Sequence, residues 1–194
     1  MLNEHTVFLK NFISHFVQPT EEQWNIFFAH IHEENIEKGK AFVTKEIPCT
    51  KLYFIVDGIA RHYLVDQNND EITTWFNLPS SLATDFAGFT INEPQPFVIQ
   101  AITPITALSI SNIALELLYN TDPIWERLGR LLNQYYLIEL IKRNNGMLKK
   151  NARERYEEFC THYIALFNSV PLKYIASYLN ITLETLSRLR SNTY

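Results

Sequence analysis

This sequence is poor in the residues that several kinds of chemistry require. Its 194 residues include two cysteines, Cys49 and Cys160, far apart and without metal-ligand spacing. That excludes a four-thiolate iron–sulfur cluster, a cysteine zinc site and a disulfide framework, and it fits reduced thiols in a cytoplasmic protein. Five glycines are too scattered to form a phosphate-cradling loop. No apolar run approaches the roughly 18 residues of a membrane span. The start, Met1 to His5, lacks the basic and apolar stretches of a signal peptide. Histidine is thin as well: His30 and His32 lie two apart on a helical reading and point in different directions, and His62 alone falls in the strand-rich stretch. A metal enzyme on a β-scaffold needs two or three converging His and a carboxylate. No haem ligand pair and no Ser-His-Asp or Cys-His spacing is present. The expectation is a non-enzyme with no metal and no cofactor.

Positive charge is scarce overall, with a net charge of −4, but it is unevenly spread. Residues 149–194 hold seven Lys or Arg against four Glu, a net +3; residues 1–148 hold ten against seventeen acids, a net −7. A basic end on an acidic body allows a nucleic-acid contact there, of modest non-specific strength and readily lost in salt.

What is present reads as helices, then strands, then helices. Residues 1–34 carry Phe8, Phe12, Ile13 and Phe16 at helical spacing, then a capping box at Thr20 to Gln23 and a second stripe of Trp24, Phe27, Phe28 and Ile31. Between Ile36 and about Ser111 short apolar stretches alternate with turn signals. The strands expected are Lys40 to Val43, Tyr53 to Val56, Ile59 to Val65, Glu71 to Phe76, Phe97 to Ile102 and Thr106 to Ile110, with a hairpin signal at Asp57-Gly58. Such spacing suggests a sandwich or small barrel. A long helix follows from Pro123 to about Leu148, with two apolar rows. Ile124, Leu128, Leu131, Tyr135 and Ile138 make one; Trp125, Leu132, Tyr136 and Leu140 make the other. Two rows need two partners: one row can cover the β-domain, and the first is expected to form a dimer interface with a second copy. Gly146 and residues 149–153 read as a hinge-like boundary before a helix from Arg153 to about Phe167.

The last stretch has the spacing of a helix-turn-helix. Ile175, Leu179, Ile181, Leu186 and Leu189 are apolar where two short helices must face each other, and Ala176 is small where they approach. Asn180 stands where the turn needs positive φ, and Thr182 where a new helix needs an N-cap. That helix carries Glu184, Thr185, Ser187, Arg188 and Arg190, side chains able to reach bases and phosphates. A plain helical hairpin closing a domain is the competing reading.

The order of these parts resembles the Crp/Fnr family of transcription regulators over nearly the whole chain. The β-domain stretches Lys38-Gly39 to Val43, Leu52 to Gly58 and Arg61 look like the entry to a cyclic-nucleotide-binding fold. Asn69 to Thr73, Phe97 to Ile102, Ile124 to Gly129, Glu154 to Tyr156, Ile175 to Leu179 and Leu186 to Arg190 look like its Bacteroidetes-type branch. The resemblance implies an α+β chain of three parts. Residues 1–122 would form N-terminal helices with a double-stranded β-helix (cupin-like jelly-roll) sensor domain, 123–148 a dimerisation helix and 149–194 a DNA-binding domain. It implies a cytoplasmic homodimer on a two-fold symmetric DNA operator, with RNA polymerase as a further partner and a small-molecule effector or none. Carried onto this chain, Glu184 and Arg188 fall at the base-reading positions, with Thr182, Thr185, Ser187 and Arg190 at phosphate or water-mediated contacts. Leu183 departs from a position that is often basic in the family.

In cyclic-nucleotide-binding members a Gly-Glu pair and an Arg ten residues later hold the sugar-phosphate. Here the aligned residues are Thr84, Asp85 and Gln95, and no Lys or Arg lies between Arg61 and Arg127. A phosphodiester buried without a cation is costly, so cAMP and cGMP are not expected. An effector pocket, if present, would be lined by Trp75, Asp85, Phe86, Gln95 and Phe97; the alternative is a roll filled by its own side chains. A ligand-binding or protein-interaction module whose last helices do not touch DNA remains the second function class.

Overall fold

A computed structural model of the chain describes residues 4–191. It opens with helices α1 (Glu4–Ser14) and α2 (Glu21–Phe28). Strands β1 (His32–Ile36), β2 (Ala41–Val43), β3 (Lys51–Asp57), β4 (Ala60–Val65), β5 (Glu71–Asn77) and β6 (Ser81–Ala83) follow. Helix α3 (Phe86–Ile91) then precedes β7 (Val98–Ala101) and β8 (Ile105–Ser111). The rest is helical: α4 (Asn112–Thr121), α5 (Pro123–Lys149), α6 (Ala152–Tyr163), α7 (Leu166–Ser169), α8 (Leu172–Tyr178) and α9 (Leu183–Ser191). The class is α+β. No helix among the described residues is long and apolar enough to cross a membrane.

Most local signals act where the sequence put them, but the hairpin expected at Asp57-Gly58 does not form, because β3 and β4 lie in different sheets. Thr20 Oγ1 accepts from Gln23 N (3.3 Å) while Gln23 Oε1 accepts from Thr20 N (2.7 Å), closing the capping box that starts α2. Gly58 turns β3 into β4 at φ +98°; a Cβ there would lie 2.3 Å from the Pro104 carbonyl oxygen, so the turn needs glycine twice over. Three elements differ from expectation. His32–Ile36 is a strand, not the end of a helix, because its backbone pairs antiparallel with β8 from His32↔Ser109 to Ile36↔Ile105. β6 and α3 also lie in a stretch that carried no periodic signal.

The strands form two four-stranded sheets, ordered β1-β8-β3-β6 and β2-β7-β4-β5. Side-chain alternation sorts their residues into two cores. Inside the roll, Ile36, Val43, Tyr53, Ile55, Ala60, Ala83, Ile99, Ala101, Ile105 and Ala107 pack together. On the other face of the first sheet, Phe54, Leu108 and Ile110 meet Leu9, Ile13, Trp24, Phe27, Leu118, Trp125 and Leu128 from the helices. Trp125 stacks on Phe27 at 4.9 Å and meets Trp24 edge-on at 6.0 Å. Gly129 lets α5 pass Tyr119, whose hydroxyl would sit 2.3 Å from a Cβ there.

By contacts the chain divides into two compact units: Met1–His62 with Phe76–Gln134, and Tyr63–Trp75 with Tyr135–Tyr194. The three-part division expected from the sequence puts its boundaries elsewhere, because α5 is shared between the units and the β4–β5 tip groups with the helices. This also redistributes the expected dimer row. Leu128 is buried, and Ile124 and Leu131 pack against the first unit's own core, so those three are occupied within the chain. Tyr135 and Ile138 are exposed, together with Leu137, Leu140, Ile141 and Leu148.

Candidate nucleic-acid interface

In the second unit Ile175, Ala176, Leu179 and Leu186 are buried, joined by Tyr156, Phe159, Leu166 and Val170. These positions are where α8 and α9 had to face each other and α6. Asn180 takes the left-handed conformation at φ +52°. Its N–H bonds to Ser177 O and that of Ile181 to Ala176 O, which closes α8. Thr182 Oγ1 accepts from Thr185 N at 3.1 Å, satisfying one of the orphan donors of α9.

With α9 anchored by Leu186, its outward face is set by helical spacing. Glu184, Ser187, Arg188 and Ser191 recur at i, i+3, i+4 and i+7, and all four are exposed. Neither the Glu184 carboxylate nor the Arg188 guanidinium has a hydrogen-bond or ion-pair partner among the described residues. The other expected contacts sit differently. Thr182 is committed as the cap, and Thr185, whose hydroxyl lies 3.0 Å from that of Thr182, is half-buried. Arg190 is turned off this face, with its guanidinium 5.0 Å from the Phe167 ring, because its position falls beside the half-buried Leu189. Ser191 was missed by sequence reading, although i+7 from Glu184 would have found it. Leu183, 50% exposed, starts the helix beside the polar face.

Most of the basic excess in this unit is engaged internally. Lys150 pairs with Glu158 (2.6 Å) and Arg153 with Glu157 (2.9 Å). Lys173 lies over Tyr174, and Arg155 donates to three carbonyls. The two ion pairs are solvent-exposed and weak, so those cations can change partner. Ser177, on α8, accepts from Thr73 N (2.9 Å) and donates to Glu71 O (3.2 Å), tying the β5 end of the hairpin to the first helix of the pair.

The expected effector residues differ in burial. Asp85 is 5% exposed and caps α3, its Oδ1 accepting from Gly88 N at 3.2 Å. Phe86, the next residue, is 57% exposed, because the cap turns the first residue of this short helix outward. Trp75, Gln95 and Phe97 are half-buried. Two polar side chains of β4 are also buried, Arg61 wholly and His62 in part. Arg61 is fully buried and its Nη2 donates to Gln100 Oε1 at 3.4 Å. His62 Nε2 and Asn77 Oδ1 are 2.5 Å apart, and Asn77 Nδ2 donates to Leu82 O (2.8 Å) and Ser81 Oγ (3.0 Å). Desolvation pushes the His62 imidazole down to about 4, outweighing the opposing effect of the Asn77 bond. No cluster of three or more metal-ligating groups exists among the described residues.

No family model matches the chain. It is 29% identical over 172 residues to the fumarate and nitrate reduction regulatory protein of Yersinia pestis, covering 79% of this chain and 65% of that protein. The chain thus spans just under two thirds of that relative's length. Its fold matches FixK2 of Bradyrhizobium japonicum with a TM-score of 0.71 at 20% identity, over 84% of this chain and 83% of the other. A regulator of Eubacterium rectale described as of the Crp/Fnr family gives 0.70 at 13% identity, over 88% and 82%. The catabolite activator protein of Thermus thermophilus gives 0.58 at 15% identity, over 93% and 85%.

Proposed function

We propose that this chain, of the Crp/Fnr type in sequence and in fold, is a sequence-specific DNA-binding transcription regulator that works as a homodimer and takes no cyclic nucleotide. The observation that carries the reading is the outward face of α9. Glu184, Ser187 and Arg188 project from one side of a capped helix whose other side is locked by Leu186. A helix of this width enters the major groove; Arg188 pairs bidentately with guanine O6 and N7, and Glu184 accepts from cytosine N4. Ser187 and Ser191 lie beside them for phosphate or water contacts.

The dimer face is the carboxy-terminal half of α5. Leu137, Ile138, Leu140, Ile141 and Leu148 are each more than half exposed, which a helix in water does not sustain without a partner. A second copy crossing there presents two α9 helices to one two-fold symmetric site. Against cyclic nucleotides stand Gln95 in place of the phosphate-holding Arg and the commitment of Asp85 to its helix cap. Titration calorimetry with cAMP and cGMP is expected to show no binding heat.

Selection from a random duplex library, with the wild type beside Arg188→Ala and no effector added, tests the reading. Enrichment of a two-fold symmetric sequence by the wild type alone is expected. Equal enrichment by both proteins would remove Arg188 as a reader. Enrichment of nothing by a folded wild-type dimer would favour a module whose last helices bind protein.

A further inference from the structure

We infer that Arg143 and Arg155 are positioning residues for the recognition helix rather than DNA contacts: together they fasten the turn of the helix-turn-helix to the end of α5. Their purpose rests on the DNA-binding reading above; their geometry does not. Arg155, on α6, donates from Nε to Leu179 O (2.9 Å), from Nη1 to Lys150 O (2.6 Å) and from Nη2 to Asn180 O (3.4 Å). Arg143, on α5, donates from Nη2 to Tyr178 O (3.1 Å) and lays its guanidinium 3.7 Å from the centre of the Tyr178 ring. Three successive carbonyls, those of Tyr178, Leu179 and Asn180, are therefore held by two arginines.

The chemistry explains the choice of residue. The last carbonyls of a helix have no partner within it and carry its negative end. α5 ends at Lys149 and α8 at Tyr178, so Lys150 O and Leu179 O mark two such ends meeting one cation. A planar guanidinium can cap both at once; a lysine, with its donors on one nitrogen, cannot span them and cannot stack on Tyr178 in the same way. Asn180 then turns the chain, and α9 starts three residues later. The turn is the lever arm of α9, and its carbonyls are bonded to α5 on one side and α6 on the other. A change in the direction of α5 past Arg143 is thereby carried to Glu184 and Arg188.

A count of basic residues would assign both arginines to phosphate contacts. The two roles separate in the salt dependence. Losing a phosphate contact lowers the slope of log K against log salt by about one, whereas losing a positioning residue leaves it intact. The experiment compares full-length wild type with Arg155→Gln, Arg155→Lys and Arg143→Gln. Amide hydrogen exchange on the free proteins is followed by binding to the duplex selected by the wild type and to a scrambled duplex of equal composition. Faster exchange at residues 179–182 is expected in all three variants. Affinity for the selected duplex should fall about tenfold on loss of these charge-assisted bonds. Affinity for the scrambled duplex and the salt slope should stay at wild-type values. A merely structural role would lower thermal stability and leave the ratio of the two affinities unchanged, which overturns the inference. So does a slope reduced by about one, or an Arg155→Lys protein indistinguishable from wild type. Arg143→Gln removes the bond to Tyr178 O and the contact with the Tyr178 ring, but leaves the three bonds of Arg155, and keeps the test open where Arg155→Gln does not fold. If exchange changes as expected but the wild type selects no duplex, the DNA-binding reading fails and the fastening stands.

Discussion

The two halves of α5 carry similar apolar side chains to opposite fates. In the first half Ile124, Trp125, Leu128, Leu131 and Leu132 pack into the core with α1, α2 and α4. In the second half Leu137, Ile138, Leu140, Ile141 and Leu148 stand in solvent. The helix is one continuous element of 27 residues, roughly 40 Å long, so its own geometry does not explain the change. What differs is whether the rest of the chain supplies a partner. The apolar content of a helix states that something must cover it, and only the fold states whether that something is the same molecule.

Several substitutions would break or sharpen this contrast. The largest effect is expected in the first half. Trp125→Ala removes the ring stacked on Phe27 and edge-on to Trp24 and should cost about 3–5 kcal/mol of stability in chemical denaturation. Trp125→Phe should cost much less, since the Nε1–H it deletes is buried without a hydrogen-bond partner among the described residues. The same unit should show its partly buried histidine in the pH dependence of stability. His62 is lowered from its ordinary 6.5 to about 4, so the unfolded chain takes up the proton first as pH falls. Stability is full above pH 6.5 and is lost towards pH 4, by about 3 kcal/mol in all. Urea titrations across that range should show the loss in the wild type and a flatter profile in His62→Gln.

In the second half the prediction reverses in kind. Ile138→Glu with Ile141→Glu should leave monomer stability within about 0.5 kcal/mol, because both side chains are already exposed. The pair should raise the dimer dissociation constant about a hundredfold in sedimentation equilibrium, since it buries charge in the interface. Greater loss of monomer stability than of dimer would mean that the exposed stretch is covered within the chain. The smallest effect is expected at Ser177→Ala. Loss of its two backbone bonds should cost about 1 kcal/mol and speed amide exchange at Thr73 specifically.

Legibility in the sequence followed how local each cause was. The Thr20 capping box, Asn180 at positive φ and the Thr182 cap each depend on a few neighbouring residues, and each formed as written. Asp57-Gly58 makes a turn but not a hairpin, because β3 and β4 join different sheets. β1 was hidden because His-Glu-Glu-Asn-Ile has a single buried side chain, Ile36; its strand exists through pairing with β8, about seventy residues away in sequence. α3 has six residues, too few to display a period. At the candidate interface the apolar frame was readable from spacing, whereas the pair Glu184 and Arg188 was singled out only by the family resemblance. The diversion of Arg190 to Phe167 and of Arg155 to two helix ends was not readable. In a charged stretch such as Arg153 to Glu158 every side chain reads as solvated, and only the approach of α8 singles out Arg155. The apolar rows of α5 divided its partners by face, whereas the fold covers the first half of the helix, Leu128 included, and leaves apolar residues of the second half exposed.

The central claim is that Arg188 and Glu184 read bases from the exposed face of α9. The direct measurement is the affinity of wild type and Arg188→Ala for every single base-pair substitution in one half of the selected duplex, at fixed salt. The account predicts that the wild type discriminates by about 1–3 kcal/mol at one G·C pair and that Arg188→Ala loses discrimination at that pair alone. A uniform weakening across all positions with discrimination retained would contradict it, and would make Arg188 a phosphate contact.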